Sequence, residues 1–179
     1  SKIENGIGGS TEITYKPSTA YENGSGNRTN AIPFVVQTVY TYTNDDGRGG
    51  RYTHQYHYEN ADYDPAKVEF LGFGRVTAYQ MRGAQWEANT LTEFHQRIEG
   101  LPDEYRKGKP FRQTVTSHEG HTKVTEYTWN AGYDTLGGGK FPALDSITTT
   151  VTDQGTGGPW TYGQTTRDVY DINSQNLEI

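Results

Sequence analysis

The histidines are the residues of this sequence best suited to metal chemistry. His118 and His121 flank a predicted turn with Glu119 between them, so two imidazoles and a carboxylate could lie close enough to bind zinc. The stretch offers no fourth ligand, and ordinary hairpins also bring such residues together across a turn. His54 and His57 are three residues apart on a predicted strand, so their side chains point to opposite faces. We expect no metal site, and His118 and His121 are the weak candidates for one.

Acidic and small residues suggest other kinds of chemistry that the sequence does not complete. The Asn-Asp-Asp-Gly loop at 44–47 lacks the distal glutamate of an EF-hand, and its side chains are better explained as turn stabilisers that bond to their own backbone. The serines have no nucleophile-elbow context. The Gly-Phe-Gly at 72–74 does not complete a phosphate-binding fingerprint. The sequence therefore predicts no catalytic residue, no cofactor and no enzyme.

Aromatic residues support a different class of function. Trp86, Trp129, Trp160 and the 14 tyrosines could form a platform that stacks on sugar rings. Cross-strand aromatic packing on a two-sided sheet explains the same residues, and we favour it. A carbohydrate- or receptor-binding β-sandwich module of a secreted bacterial protein is kept as the alternative function.

The composition indicates a lean, β-rich protein. Only 31% of the 179 residues are hydrophobic, and the mean hydropathy is -0.89. Tyrosine and threonine favour a half-wet pleated surface. The absence of cysteine excludes disulfides and cysteine-bound metals. The formal charge of -6 argues against nucleic-acid binding, and no apolar run approaches the ~20 residues that insertion into a membrane requires.

The N-terminal part consists of extended segments separated by turn formers. Residues 11–15 predict the first strand and 17–30 a loop. Residues 33–43 alternate clearly and predict a second strand. The Asp-Gly pair at 46–47 then predicts a hairpin, from which residues 51–58 return antiparallel. We expect the aromatic faces of these two strands to stack.

The middle of the chain predicts another strand pair. Residues 60–65 are rich in turn formers, and residues 68–81 predict a long strand in which Gly72 and Gly74 are the expected bulge points. Residues 88–98 fit both helical and strand spacing, and we favour a strand because threonine is frequent there.

The remaining chain continues the same pattern and defines the fold class. Its predicted elements are a short helical turn at 101–105, strands at 109–117 and 121–130, a flexible loop at 136–140, a strand at 143–152, a turn at 153–159, a last strand at 160–170 and a polar tail at 171–179. The prediction is an all-β protein of antiparallel strands and hairpins in twisted sheet, with little helix.

Several segments, in chain order, carry a resemblance to a known family. They are residues 7–19, 33–36, 56–58 with 63–64, 69–76, 107–110, 141–150 and 165–171. In this order they resemble the middle region of the B component of bacterial insecticidal toxin complexes (Tc toxins), which is related to SpvB-type and Rhs/YD-repeat toxin proteins. The motif residues are Gly8, Gly9, Tyr15, Pro17, Tyr58, Phe70, Leu71, Gly72, Phe73, Gly74, Phe141, Pro142, Tyr170 and Asp171.

The resemblance implies a structural role. In that family the B and C components form a hollow β-sheet shell that encloses a cytotoxic segment and docks, through a separate propeller, to a pore-forming A component. It implies that residues 1–179 are a single all-β domain of a larger secreted toxin, either sandwich-like or a section of shell, with 1–100 and 101–179 as an alternative sub-division. The implied partners are other parts of the same polypeptide and the C component, and indirectly the A component.

The resemblance also changes the interpretation of residues 71–74. The sequence Leu-Gly-Phe-Gly there is expected to form a bend in a wall, where glycines permit close strand approach. Phe70 and Phe73 would fix the register. We expect this motif to be buried and paired, with no ligand near it.

Overall fold

A computed structural model shows that the chain forms one large antiparallel sheet of ten strands and a separate pair of short strands. The residues that the structure describes are 1–21, 32–83, 85–96, 106–134, 140–153, 160–167, 169–170 and 176–177. The predicted all-β class is confirmed. In this part of the chain, no helix is long and apolar enough to cross a membrane.

The strands follow one another along the sheet in sequence order. They are β1 (Lys2–Glu4), β2 (Ser10–Pro17), β3 (Gln37–Asp45), β4 (Arg51–Asp64), β5 (Glu69–Arg82), β6 (Gln85–Phe94), β7 (Pro110–Ser117), β8 (Thr122–Asp134), β9 (Lys140–Asp153), β10 (Trp160–Arg167), β11 (Val169–Tyr170) and β12 (Asn176–Leu177). A short 3₁₀ helix, Ser18–Ala20, follows β2. Each of the strands β1 to β9 pairs antiparallel with the next one along the chain, and β11 pairs separately with β12. The sheet is therefore a meander, and its turns alternate between the two ends of the strands.

The hairpin between β3 and β4 shows how side chains form these turns. The Asp45 carboxylate accepts a hydrogen bond from the Gly47 backbone N–H (2.8 Å), and the Asp46 carboxylate accepts one from the Gly50 N–H (2.9 Å). Gly47 has a positive φ of 70°, which favours glycine. The acidic residues of this loop thus satisfy backbone donors, as expected of a turn.

The large sheet buries little of its own side-chain surface. The buried apolar residues among those described are Tyr21, Ala61, Leu71 and Ala143. The accessible surface of the chain is 11758 Å². A compact monomer of 20.0 kDa would expose about 8,700 Å². Apart from a small contact of β11 with β9, the main contacts between described strands join neighbours in the sheet. Most strand side chains are consequently half-buried on a single layer.

The second predicted strand begins later than expected. Residues 33–43 were predicted to be extended throughout, but β3 starts at Gln37. The Val36 carbonyl accepts a hydrogen bond from the Ser18 N–H (2.8 Å), and the Val36 N–H donates one to Ser18 Oγ (3.1 Å). Because the 3₁₀ helix satisfies these backbone groups, residues before Gln37 do not join the ladder.

The predicted turn at 60–65 is wrong in position. Strand β4 continues to Asp64, and the turn occupies residues 65–68. Asn60 takes a left-handed φ of 57° inside the strand instead of ending it. The turn begins after Asp64, whose carboxylate accepts a hydrogen bond from the Ala66 N–H (3.0 Å).

Two further expectations need correction. The aromatic faces of β3 and β4 were expected to stack along the strands, but the ring contact between these two described strands is that of Tyr42 with His54, with centroids 6.5 Å apart. The two strands pair only as far as Thr41 and Gln55, so the later rings of β4 have no partner strand on this side. The last predicted strand is two elements, β10 and β11, and part of the expected polar tail forms β12. The expected helical turn at 101–105, loop at 136–139 and turn at 154–159 lie outside the described residues.

Candidate functional site: the bulged end of the β4–β5 hairpin

The hairpin of β4 and β5 loses its regular register near its turn. Ala61 pairs with Phe73 and Tyr63 pairs with Phe70, so two residues of β5, Leu71 and Gly72, lie opposite one residue of β4. This arrangement is a β-bulge, which bends a strand and increases its twist. Gly72 has a φ of 79°, a left-handed conformation that most side chains oppose. Of the two predicted bulge points, Gly72 therefore lies in the bulge, whereas the register passes through Gly74 without a shift.

A glutamine side chain from beyond β6 holds this bulge. Gln96 Nε2 donates hydrogen bonds to the Asn60 carbonyl (2.7 Å) and to the Gly72 carbonyl (3.1 Å). One amide thus bridges the two strands where their own ladder is interrupted. A Cβ at Gly74 would lie 2.7 Å from Gln96 Oε1 and 3.2 Å from Asn60 Cβ. Gly74 is therefore required for the amide to approach the backbone this closely.

Rings surround the bulge in a continuous aromatic cluster. Its members are Tyr21, Tyr58, Phe73, Phe70, Phe34 and Tyr63. Successive ring centroids are 5.4, 4.9, 5.9, 5.7 and 5.7 Å apart, within the range of favourable edge-to-face and tilted pairs. Each such pair contributes about 0.5–1.5 kcal/mol beyond its buried area. The cluster joins three parts of the chain that are distant in sequence.

Tyr21 connects this cluster to the start of the sheet. It is 6% exposed, and its hydroxyl is 2.7 Å from Thr38 Oγ1, which in turn donates to the Lys16 carbonyl (2.9 Å). Its ring also contacts His57 and Tyr58. Burial, followed by the neighbouring Tyr21, raises the pKa of Tyr58 to about 12. A neutral phenol is thus favoured in this apolar environment.

The motif at 70–74 is only partly enclosed. Leu71 is 8% exposed and Gly74 is buried, but Phe70 is 36% exposed at the rim of the cluster. Phe70 therefore departs from the expected burial. The exposed ring still contacts Phe34 and Phe73, so it covers the bulge from one side.

The Gly-Gly opening motif meets the β3–β4 turn. Gly8 has a φ of 97°, and a Cβ at Gly47 would lie 2.5 Å from the Gly8 carbonyl carbon. A Cβ at Gly9 would lie 3.1 Å from the Asp45 carbonyl oxygen. The Asn5 carboxamide oxygen accepts hydrogen bonds from the backbone around these glycines. Here glycine permits close contact between two backbones.

The other motif residues are spread along the chain. Tyr15 is 52% exposed on β2, and Pro17 ends that strand. Phe141 and Pro142 lie on β9, where Phe141 pairs with Tyr133. Tyr170 lies on β11, and Asp171 is outside the described residues. The structure thus brings residues 58 and 70–74 together but not the whole motif set.

The candidate metal-binding histidines have separate partners. His118 packs edge-to-face against Trp86, with centroids 5.1 Å apart. His121 lies between two carboxylates, with Nε2 3.0 Å from Glu119 and Nδ1 2.6 Å from Asp153. Within the described ranges, no group of three or more metal-ligating side chains is arranged to hold an ion.

Sequence reasoning did not identify Gln96 or Tyr21. Gln96 bonds to residues 36 and 24 positions away, and Tyr21 lies in a segment predicted as a loop. No local pattern marks such residues. The only indirect signal is Gly74, because a glycine within a strand indicates a close approach of other atoms.

The described residues form a large antiparallel sheet, and the bulged end of its β4–β5 hairpin is built from side chains that hold the backbone in place. The family model for the insecticide toxin TcdB middle/N-terminal region matches residues 1–98. The chain belongs to this family. No match to a curated protein was found.

Solved structures share the fold. The crystal structure of TcdB2-TccC3 matches 98% of this chain with a TM-score of 0.67 at 14% identity. A form of TcdB2-TccC3 without the hypervariable C-terminal region gives 0.66 at 14% over the same 98%. The Photorhabdus luminescens Tc holotoxin pore gives 0.63 at 13% over 86%. The chain spans 12% of the length of the first two matched chains and 10% of the third.

Proposed function

We propose that this chain is a non-catalytic section of the shell wall of a Tc toxin B component, and that it helps to enclose and deliver a toxic cargo segment. The observation that carries the proposal is the single layer of ten strands with half-buried side chains. Independent domains usually bury a sheet face against a second layer. A wall between solvent and a hydrated cavity needs no such layer.

The residue types on the sheet support this role. Threonine and tyrosine tolerate a surface that is wet on one face and partly wet on the other. A wall of this kind derives its stability from long ladders and cross-strand pairs more than from a thick core. Strands β4, β5 and β9 have 14 residues each, longer than the usual strand of about 5–6 residues.

The bulged hairpin supplies the curvature that a closed shell requires. Flat sheets do not close, and bulges with glycine are the usual means of bending them. The bulge at Gly72, fixed by Gln96, would set one bend of the wall. On this proposal, the motif residues of the hairpin serve shape, and none binds a ligand.

The proposed partners follow from the wall role. Residues 1–179 act as one section whose neighbours are other strands of the same toxin polypeptide and its C component, with an indirect link to the pore-forming A component. The similar structures contain TcdB2 with TccC3, which supports a C-component partner. The formal charge of -6 supports neither nucleic-acid binding nor attraction to anionic lipid. The assembled toxin would be secreted.

Protease protection of the cargo tests the proposal. The complete B component that carries this segment is purified with its C component, and digestion of the cargo is followed in the wild type and in a Tyr58→Ala variant. Weakening the aromatic cluster should open the wall and accelerate digestion. Tyr52→Ala, on the same strand but 55% exposed, should protect the cargo as the wild type does. Equal protection in all three proteins, with Tyr58→Ala proven destabilised, would contradict the wall role.

A further inference from the structure

A cleft lies between two turns at one end of the central strands, away from the bulged end of the β4–β5 hairpin. It is formed where the β5–β6 turn and the β7–β8 turn approach each other, and its volume is about 370 Å³. Its main lining residues are Arg82, Trp86, Glu87, Ser117, His118 and Glu119. Clefts that bind small molecules have volumes of about 300–1,000 Å³. The size therefore suits one small ligand or one unit of a larger one.

The two turns are tied together, so the cleft is present before any ligand binds. The His118 N–H donates a backbone hydrogen bond to the Glu87 carbonyl (2.7 Å). The His118 ring stands edge-to-face on Trp86 at an interplanar angle of 78°. Trp86 nevertheless stays 38% exposed. A fixed indole with exposed surface thus forms one wall.

Polar groups beside the indole are held in place by one another. Arg82 Nε is 2.6 Å from Glu87 Oε1, and Gln80 Nε2 donates to Glu87 Oε2 at 3.4 Å. Glu119, on the opposite turn, is anchored by His121 at 3.0 Å. The cleft therefore presents a guanidinium and two carboxylates around an aromatic surface.

The pairing of these charges favours one chemical class of ligand. Arg82 and Glu87 largely neutralise each other as an ion pair, so beside the indole they offer hydrogen-bond donors and acceptors more than attraction for an ion. A neutral ring with hydroxyls can accept from the guanidinium, donate to the carboxylates and lay its C–H face on the indole. We propose that this cleft binds a neutral saccharide unit through Trp86.

Of the tryptophans whose side chains the structure describes, Trp86 fits this role better. Trp129 donates its indole N–H to the Pro110 carbonyl (2.7 Å) and lies against Lys109. Its polar edge is thus already satisfied within the sheet. The inference does not rest on the shell-wall role, because a cleft at a turn edge can bind a sugar whether or not the sheet encloses a cargo.

The test is a titration of the full chain with methyl glycosides of glucose, galactose, mannose and N-acetylglucosamine, followed by tryptophan fluorescence and by calorimetry. We expect saturable binding of at least one of these probes. Trp86→Ala should weaken it by about tenfold or more, because the stacking surface is removed. Glu87→Gln, which keeps the shape of the side chain, should also weaken binding. Trp129→Phe should leave the affinity unchanged.

Folding controls and charged probes complete the test. Melting temperatures of all variants are compared, and Glu87→Gln keeps the test valid if Trp86→Ala does not fold. The absence of saturable binding for every glycoside would overturn the proposal. Equal glycoside affinity in the wild type and in Trp86→Ala would also overturn it. Tighter binding of guanidinium or citrate than of any glycoside would do the same, because it would show that the cleft selects a charged ligand.

Discussion

The bulged end of the β4–β5 hairpin and the threonine-rich strands β7 to β9 belong to the same sheet but are built differently. The hairpin contains a bulge with positive φ at Gly72 and at the nearby Asn60, and it contributes four of the six clustered rings. In contrast, β7 pairs with β8 from Arg112 to Thr116 without any register shift. The pairing of β8 with β9 is also regular from Thr122 to Thr128.

This contrast shows where the sheet depends on particular residues. A regular ladder requires only side chains that tolerate an extended, half-wet position, and threonine does so at many positions. A bulge requires a residue that accepts left-handed φ, a substitute for the lost ladder bonds and a local core to fix the bend. Gly72, Gln96 and the aromatic cluster supply these three needs. Substitutions in the two regions should therefore differ sharply in cost.

Removal of the Tyr58 ring should have the largest effect. Tyr58→Ala removes the ring that contacts both Tyr21 and Phe73, and we expect the free energy of unfolding to fall by about 2–3 kcal/mol. Urea denaturation measures this change. The control Tyr52→Ala, at a 55% exposed position of β4, should change stability by less than about 0.5 kcal/mol. An equal loss of unfolding free energy in both variants would show that the aromatic cluster stabilises the sheet no more than an exposed tyrosine does.

A side chain at Gly72 should have the next largest effect. Gly72→Ala should cost about 1–2 kcal/mol, because the left-handed φ of 79° disfavours a Cβ. No atom outside residues 71–73 lies within 4 Å of that Cβ, so the cost is conformational rather than steric. Gly72→Asn should be less destabilising, since asparagine tolerates this region better. If neither Gly72→Ala nor Gly72→Asn lowers the melting temperature, Gly72 does not have the left-handed conformation described for the bulge.

A double-mutant cycle between Gly74 and Gln96 should show a smaller, coupled effect. Gly74→Ala places a Cβ 2.7 Å from Gln96 Oε1 and should displace the amide from its two carbonyl acceptors. In a Gln96→Ala background that displacement costs nothing further. We expect a coupling energy of about 0.5–1 kcal/mol in urea denaturation. Additive losses would mean that Gln96 does not hold the bulge.

High pH should weaken the hairpin through Tyr58. Its pKa is about 12 in the folded chain, above the value of about 10 for an unfolded tyrosine. The contribution of the neutral phenol is therefore complete below pH 10 and is lost as the pH rises from 10 towards 12. The urea midpoint should fall between pH 8 and pH 11 by more in the wild type than in Tyr58→Phe. An identical fall in both proteins would place the titration on other tyrosines.

The regular region should show the smallest effect. Thr150 is half-buried on β9, opposite Val124 on β8 and Gly163 on β10. Thr150→Val keeps a β-branched side chain, and stability should stay within about 0.5 kcal/mol of the wild type. A loss as large as that of Gly72→Ala would remove the contrast between the two regions.

Much of the strand pattern follows from local sequence. Alternation and turn chemistry predicted the strands at 11–15, 51–58 and 143–152, and the Asp-Gly pair at 46–47 marked its hairpin. Gly72 was predicted as a bulge point and lies in one. These features depend on the φ preference of single residues and on period-two spacing, which a sequence displays directly.

The rest depends on partners that are distant in the chain. Strand β3 begins at Gln37 because Ser18 engages Val36, and no pattern within 33–36 reveals this. The Asn60 region resembles a turn locally, yet its left-handed residue is accommodated inside a strand once Gln96 bonds to its carbonyl. Such contacts require the assembled sheet before they can be identified.

Electron cryomicroscopy of the complete B component with its C component would test the wall proposal most directly. We predict that strands β1 to β10 form a single layer, continuous at its edges with strands of the same polypeptide, with one face towards solvent and the other towards the cargo cavity. A second sheet packed face to face on this one, enclosing a dry sandwich core, would contradict the wall role.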